Sequence, residues 1–195
     1  MLSLGVGRLL VRLARDAVSS KLAGSALNPD YASDSLFSES RGVFVTLHKN
    51  NDLRGCIGFP EPVLPLREAI VSAAIAAAFE DPRFPPVLAE EFNEVEFEVS
   101  VLTIPTEVNR DRLPNSILVG RDGLIVKLGH HSGLLLPQVP VEWNWNSAEF
   151  LNQTCIKAGL PPGSWKNTDC RILSFRAQVF AEQDGSVVEK ALNSN

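Results

Sequence analysis

The spacing of apolar and polar positions changes several times along the chain, and each change marks an element. Over residues 4–24, Val6, Leu9, Leu10, Leu13, Ala17 and Val18 recur at helical spacing, with Arg8, Arg12, Arg15 and Asp16 on the other side. That pattern predicts an amphipathic helix closed by Gly24. Residues 25–41 are rich in Ser, Asn, Asp and Pro and read as loop. Residues 42–48 favour strand, Lys49-Asn50-Asn51-Asp52 is turn chemistry, and Leu53-Arg54-Gly55-Cys56-Ile57-Gly58 is the second arm of a hairpin. Pro60, Pro62 and Pro65 stop that strand. Residues 66–79 are mostly Ala with Ile70, Val71 and Ile75, so they predict a helix buried nearly all round.

Asp81-Pro82-Arg83-Phe84-Pro85-Pro86 is a stiff loop, because each proline fixes its φ. Residues 94–101 alternate strictly. Val95, Phe97, Val99 and Val101 face a core, while Glu94, Glu96, Glu98 and Ser100 form a solvated face. A polar linker follows at 105–114, then a hairpin with Asp122-Gly123 at its turn. Asn146 and Glu149 have the spacing of a capping box, opening a helix that ends at Gly159 before Pro161 and Pro162. Residues 171–180 read as a last strand with Leu173, Phe175, Ala177 and Val179 inward, followed by a frayed tail after Asp184-Gly185.

Helices and strands in mixed order, with hairpins dominating, indicate an α+β fold of mostly antiparallel sheets packed by helices. The linker near 105–115 suggests two lobes. Residues 51–105 would form the smaller lobe, and residues 1–50 with 106–195 the larger.

Composition narrows the function. Net charge is −5, and no Lys/Arg run exceeds two residues, which argues against a nucleic-acid surface. Arg8, Arg12 and Arg15 interrupt the apolar stretch that a secretory signal needs. The longest apolar stretch, residues 73–79, is too short to span a bilayer, so no membrane role is expected. Three cysteines without a recurrent spacing (Cys56, Cys155 and Cys170) argue for a reducing compartment, and the protein reads as cytoplasmic.

The candidate chemistry centres on Leu53–Gly58. In a regular strand Arg54 and Cys56 share a face, about 7 Å apart, opposite Leu53 and Ile57, which the core should claim. A guanidinium beside a thiol favours thiolate. Gly55 and Gly58 would let a ligand or another backbone approach. The competing reading is a buried, inert cysteine in a strand whose glycines mark a bulge. Asp81 and Arg83 can form an ion pair whose plain role is to clamp their loop. His130 and His131 are adjacent, not at the i, i+4 spacing of a helical metal site, so no metal is expected. Cys155 shares a helical stripe with Ala148, Leu151 and Ala158 and belongs to a core.

Four strings occur in series: Leu53-Arg54-Gly55-Cys56-Ile57-Gly58, Asp81-Pro82-Arg83-Phe84-Pro85-Pro86, Gly133-Leu134-Leu135-Leu136-Pro137-Gln138-Val139, and Lys157-Ala158-Gly159-Leu160-Pro161-Pro162 with Trp165. Together they resemble the family named after the AMME chromosomal region candidate gene. Pro140-Val141-Glu142-Trp143 looks most like its archaeal members. The resemblance implies a two-lobed α+β protein with signature residues lining a cleft between the lobes. From family gene neighbourhoods it implies association with a Memo-like protein and a radical S-adenosylmethionine enzyme. It supplies neither an agreed activity nor a cofactor. Carried onto this chain, the site residues are Arg54, Cys56, Asp81, Arg83 and Gln138. His130-His131-Ser132 stand where family members often carry basic residues, which weakens a phosphate-binding loop.

Two functions remain open. One is an enzyme using Cys56 as nucleophile or redox centre, with Arg54 activating the thiol and His48 or His131 as base. The other is a non-enzymatic binding module or scaffold, holding a small anion or a partner protein through Arg54 and Arg83.

Overall fold

In the computed structural model, which describes residues 1–30 and 35–190, the helical stripe of the N-terminus forms α1 (Leu4–Ala23). Ser3 caps its first turn, and Gly24 ends it in the left-handed conformation. Leu10, Leu13, Ala14, Ala17 and Val18 are fully or almost fully buried on its inner face. Part of the predicted 25–41 loop, residues 31–34, lies outside the described residues.

The hairpin forms as expected from β1 (Val43–Lys49) and β2 (Asp52–Phe59). Asn50 and Asn51 take positive φ at its turn, a conformation asparagine tolerates better than most residues. The alanine-rich helix is α2 (Leu66–Phe79), packed on β1, β2 and α1. Its buried stripe is Leu66, Ala69, Ile70, Ala73, Ala74, Ala77 and Ala78, while Val71, Ile75 and Phe79 are half-buried. The alternating segment is β3 (Val95–Leu102), with Val95, Phe97, Val99 and Val101 buried as expected, but the opposite face is not fully solvated: Ser100 is buried and Glu96 and Glu98 are half-buried.

The chain then divides differently from the linker-based expectation. One unit comprises Met1–Leu102 and Gln178–Lys190, the other Thr103–Ala177. Residues 1–50 and 51–105 therefore do not belong to different lobes, since β1 and β2 pair along their whole length. The predicted linker is part of the second unit. It holds β4 (Thr106–Glu107), and its Arg110 donates to the carbonyls of Trp165 at 3.0 Å, Asn167 at 2.6 Å and Cys170.

In the second unit, β5 (Gly123–Leu128) pairs with β6 (His131–Leu135) around the Gly129-His130 turn. The predicted hairpin over Asp122-Gly123 does not form. Asp122 is buried, its carboxylate accepting the Leu118 amide at 2.9 Å and the Arg121 guanidinium, so residues 118–122 close as a loop. Two helices follow, α3 (Gln138–Glu142) and α4 (Ser147–Lys157). The capping box of Asn146 and Glu149 opens α4 as predicted.

The predicted strand over 171–180 is two strands in two sheets: β7 (Arg171–Phe175) and β8 (Ala177–Gln183). Ile172 rather than Leu173 takes the buried position on β7. Residues 186–190 are not frayed but form β9 (Ser186–Lys190), antiparallel to β8. The sheet orders are β2-β1-β3-β8-β9 in the first unit and β4-β7-β5-β6 in the second. Each unit has its own apolar cluster, one around α1, α2 and β3, the other around α4, Leu124 and Ile172.

Candidate functional site

The first rare string is β2, an edge strand of the five-stranded sheet. Its pairing with β1 runs Thr46↔Cys56 and Leu47↔Gly55, then slips so that His48 faces Leu53. The β1–β3 register is unbroken, so the extra residue lies in β2 and makes a bulge at Arg54. The parity argument fails at that point. Leu53, not Arg54, shares the Thr46 and His48 face with Cys56, and Leu53 is exposed rather than claimed by the core. Arg54 instead joins Lys49 at Glu91, with its Nη2 2.7 Å from Glu91 Oε1 and the Lys49 Nζ 3.2 Å from Oε2.

Cys56 is half-buried, and the Thr46 hydroxyl donates to its Sγ at 3.2 Å. Its backbone is held at the sheet edge by the second rare string. Asp81 Oδ2 accepts the Cys56 amide at 2.9 Å, while Arg83 Nη2 donates to the Cys56 carbonyl at 3.3 Å. The carboxylate and guanidinium thus replace a neighbouring strand on that stretch of edge. They are also paired to each other, Arg83 Nη2 to Asp81 Oδ2 at 2.7 Å and Nε to Oδ1 at 3.0 Å. The Arg83 hydrogen bonds hold the Asp81 carboxyl far below the usual carboxylate range despite burial, helped by the Cys56 and Arg83 amides. Asp81 in turn raises the Arg83 guanidinium. The clamp reading of this pair is the observed one, and it clamps β2 as well as its own loop.

Gly55 serves the same architecture. A Cβ there would stand 2.2 Å from the Ala77 carbonyl oxygen, so α2 can approach β2 this closely only over glycine. The approach that Gly55 permits is by a helix backbone.

Glu91 is the residue that sequence reasoning missed. Its side chain accepts from Arg54, Lys49 and the Leu88 amide. The Arg54 hydrogen bond first, then the Leu88 amide and Lys49, depress its carboxyl to about 2 against the effect of burial. It lies 37 positions from Arg54 in a polar segment with no periodicity, and no local signal marks it.

Gln138 and His131 lie in the second unit. Gln138 opens α3 and is half-buried; His131 opens β6, with Nδ1 3.2 Å from the Ala158 carbonyl oxygen. The third and fourth rare strings meet here, since a Cβ on Gly133 would be 2.3 Å from the Ala158 amide nitrogen. Asn152 Oδ1 accepts both the Gly163 amide at 2.9 Å and the Trp165 indole at 2.8 Å. Cys155 and Cys170 are buried in this unit's core, and burial raises both thiols. Among the described residues no group of three or more His, Cys, Asp and Glu side chains is placed to hold a metal, and no helix is long and apolar enough to cross a membrane.

An α+β chain carrying these four strings, with one glycine-dependent contact between β2 and α2 and another joining the third and fourth strings, defines a narrow class. The AMMECR1 family model matches residues 11–180, and the chain belongs to that family. A protein of Thermococcus onnurineus is 49% identical, over 95% of this chain and 96% of its own. One of Methanothermobacter thermautotrophicus is 51% identical, over 93% and 96%. The crystal structure of uncharacterized protein PH0010 from Pyrococcus horikoshii is similar with a TM-score of 0.82 and 49% identity, over 95% of this chain and 96% of that one.

Proposed function

We propose that this is a non-enzymatic binding module that docks a partner protein through the loop after α2. The observation that carries the reading is how that loop is held. Asp81 fixes its start to β2, the Val87 amide bonds to Ala78 O at 2.8 Å, and Glu91 fixes its end to Arg54. Between these anchors Pro82, Arg83, Pro85, Pro86 and Leu88 remain exposed. A loop ordered before binding loses little entropy on docking. Its prolines and Leu88 suit an apolar groove on a folded partner better than a small anion, because Arg83 is already matched by Asp81.

The alternative reading, an enzyme using Cys56, loses its proposed activator, since Arg54 is spent on Glu91. The three free thiols support a cytoplasmic setting. The family resemblance nominates two partners, a Memo-like protein and a radical S-adenosylmethionine enzyme. The test is calorimetric titration of each purified candidate into the full chain, into Leu88→Asp and into Cys56→Ala. The reading expects one candidate to bind, with affinity at least about tenfold weaker for Leu88→Asp and unchanged for Cys56→Ala. Binding by neither, or binding that depends on Cys56 and ignores Leu88, overturns it.

A further inference from the structure

The docking loop has a conformation of its own, and its sequence sets it. Each proline holds φ near about −65°, and a residue before proline is pushed to an extended ψ. Pro85 meets both conditions, since Pro86 follows it, and Phe84 meets the second. The result is the polyproline II conformation, which has about three residues per turn. Burial repeats at the same interval. Phe84 is half-buried and Val87 is 2% exposed, while Pro85, Pro86 and Leu88 are exposed. One edge of the turn, Phe84 with Val87, therefore lies on the first unit. The other two, Pro85 with Leu88 and Pro86, are open.

Hydrogen bonding rules out the other common use of an extended segment. Pro85 and Pro86 have no N–H, the Val87 amide donates to Ala78 O at 2.8 Å, and the Leu88 amide donates to Glu91 Oε1 at 3.2 Å. No donor remains along residues 85–88 for a ladder with a partner's sheet. The acceptors are open, since among the described residues nothing donates to the Pro85 or Pro86 carbonyl. We infer that residues 84–88 are a polyproline II ligand, read by a groove of aromatic side chains on the partner. A Trp or Tyr there supplies a ring face for the prolines and Leu88, and an N–H or O–H for the free carbonyls. The inference rests on the docking reading and names the chemistry of the partner.

The experiment titrates each candidate partner with the full chain by calorimetry, alone and in excess decaproline peptide. A Gly-Ser peptide of the same length is the control. Decaproline holds the same conformation without the rest of the chain. The expected result is an apparent affinity at least about tenfold weaker in decaproline and unchanged in the Gly-Ser peptide. Pro85→Ala and Pro86→Ala should each bind about tenfold more weakly. Exchange protection of the Val87 amide reports that the loop of each variant stays anchored. Leu88→Asp separates the two failures. Weaker binding by Leu88→Asp, with no competition by decaproline or with both proline variants at native affinity, overturns the inference and leaves the docking reading in place. Binding by neither candidate, or binding indifferent to Leu88→Asp, overturns both.

Discussion

Glu91 organises the largest charge cluster near the signature residues, and its environment makes a pH prediction. The Arg54 and Glu91 side chains are 12% and 17% exposed. Glu91→Gln leaves the Arg54 cation without its counter-charge in a mostly desolvated place, at an expected loss of about 2–4 kcal/mol at neutral pH. The carboxyl moves from 4.5 to about 2 on folding. A depressed folded pKa stabilises fully above the unfolded value and is lost as pH falls through the folded one. Melting temperatures of the native chain and Glu91→Gln should therefore differ most above pH 4.5 and converge as pH falls toward 2. A constant gap across that window would refute the linkage. Asp81 shifts in the same direction and steepens the acid loss of the native chain. Cys155 is wholly buried against Leu151 and Phe150. Cys155→Ser puts a hydroxyl in that core beside the Trp165 amide, which already bonds to the thiol, so the cost is expected at the low end, about 1 kcal/mol, readable as a lower denaturant midpoint. An unchanged midpoint would refute the structural role of this side chain.

At the scale of elements, the four rare strings are contacts in pairs, β2 with the loop after α2 and β6 with the end of α4. Gly55→Ala tests the crossing of β2 by α2 that delivers the chain to the first of these contacts. Its Cβ would meet the Ala77 carbonyl oxygen at 2.2 Å, and that atom is helix backbone. Either α2 lifts from β2 or the bulge rearranges, at about 2 kcal/mol or more. Gly24→Ala is the matched control. It strains a positive φ but meets nothing within 4 Å, so its cost should stay near 1 kcal/mol. Equal melting shifts for the two variants would deny the tight crossing. The same elements show what the sequence could reveal. Periodicity located α1 and β3, because each buries one face, and the capping box located α4. Apolar composition located α2 but overstated its burial, since Arg67, Glu68 and Ser72 are exposed. Periodicity failed at Arg54, because a single inserted residue inverts every later parity and leaves no compositional trace. It failed at Asp122-Gly123, where a buried carboxylate closes a loop in a string that also suits a hairpin. It merged β7 with β8, since both are apolar strands and Arg176 alone interrupts them. The candidate site was legible in its members Cys56, Asp81 and Arg83, and illegible in Glu91, whose partner is distant in sequence.

At the scale of the whole molecule, the chain leaves the first unit after Leu102 and returns at Gln178. The strands on either side of that excursion, β3 and β8, are neighbours in one sheet. The second unit is therefore an insertion, which the polar composition near 105 announced on one side and nothing announced on the other. The ends of the insertion are tied to each other. The Thr103 amide donates to Arg176 O at 2.8 Å, and the Arg176 amide donates to Thr103 Oγ1 at 2.9 Å. Inside that tie the unit has a four-stranded sheet and a separate apolar cluster containing Leu124, Phe150, Leu151 and Ile172. A segment with its own core and adjoining ends has what independent folding requires. The fragment spanning residues 103–177 is expected to fold alone, with dispersed amide resonances and a cooperative thermal transition. Its size puts it near the lower limit for a single core, so its melting point should lie below that of the full chain. Cys155→Ser should lower both transitions, because the residue belongs to this unit's core, whereas Gly55→Ala lies outside the fragment and can affect only the full chain. A fragment with random-coil shifts and no transition would show that the insertion depends on the rest of the chain for its fold.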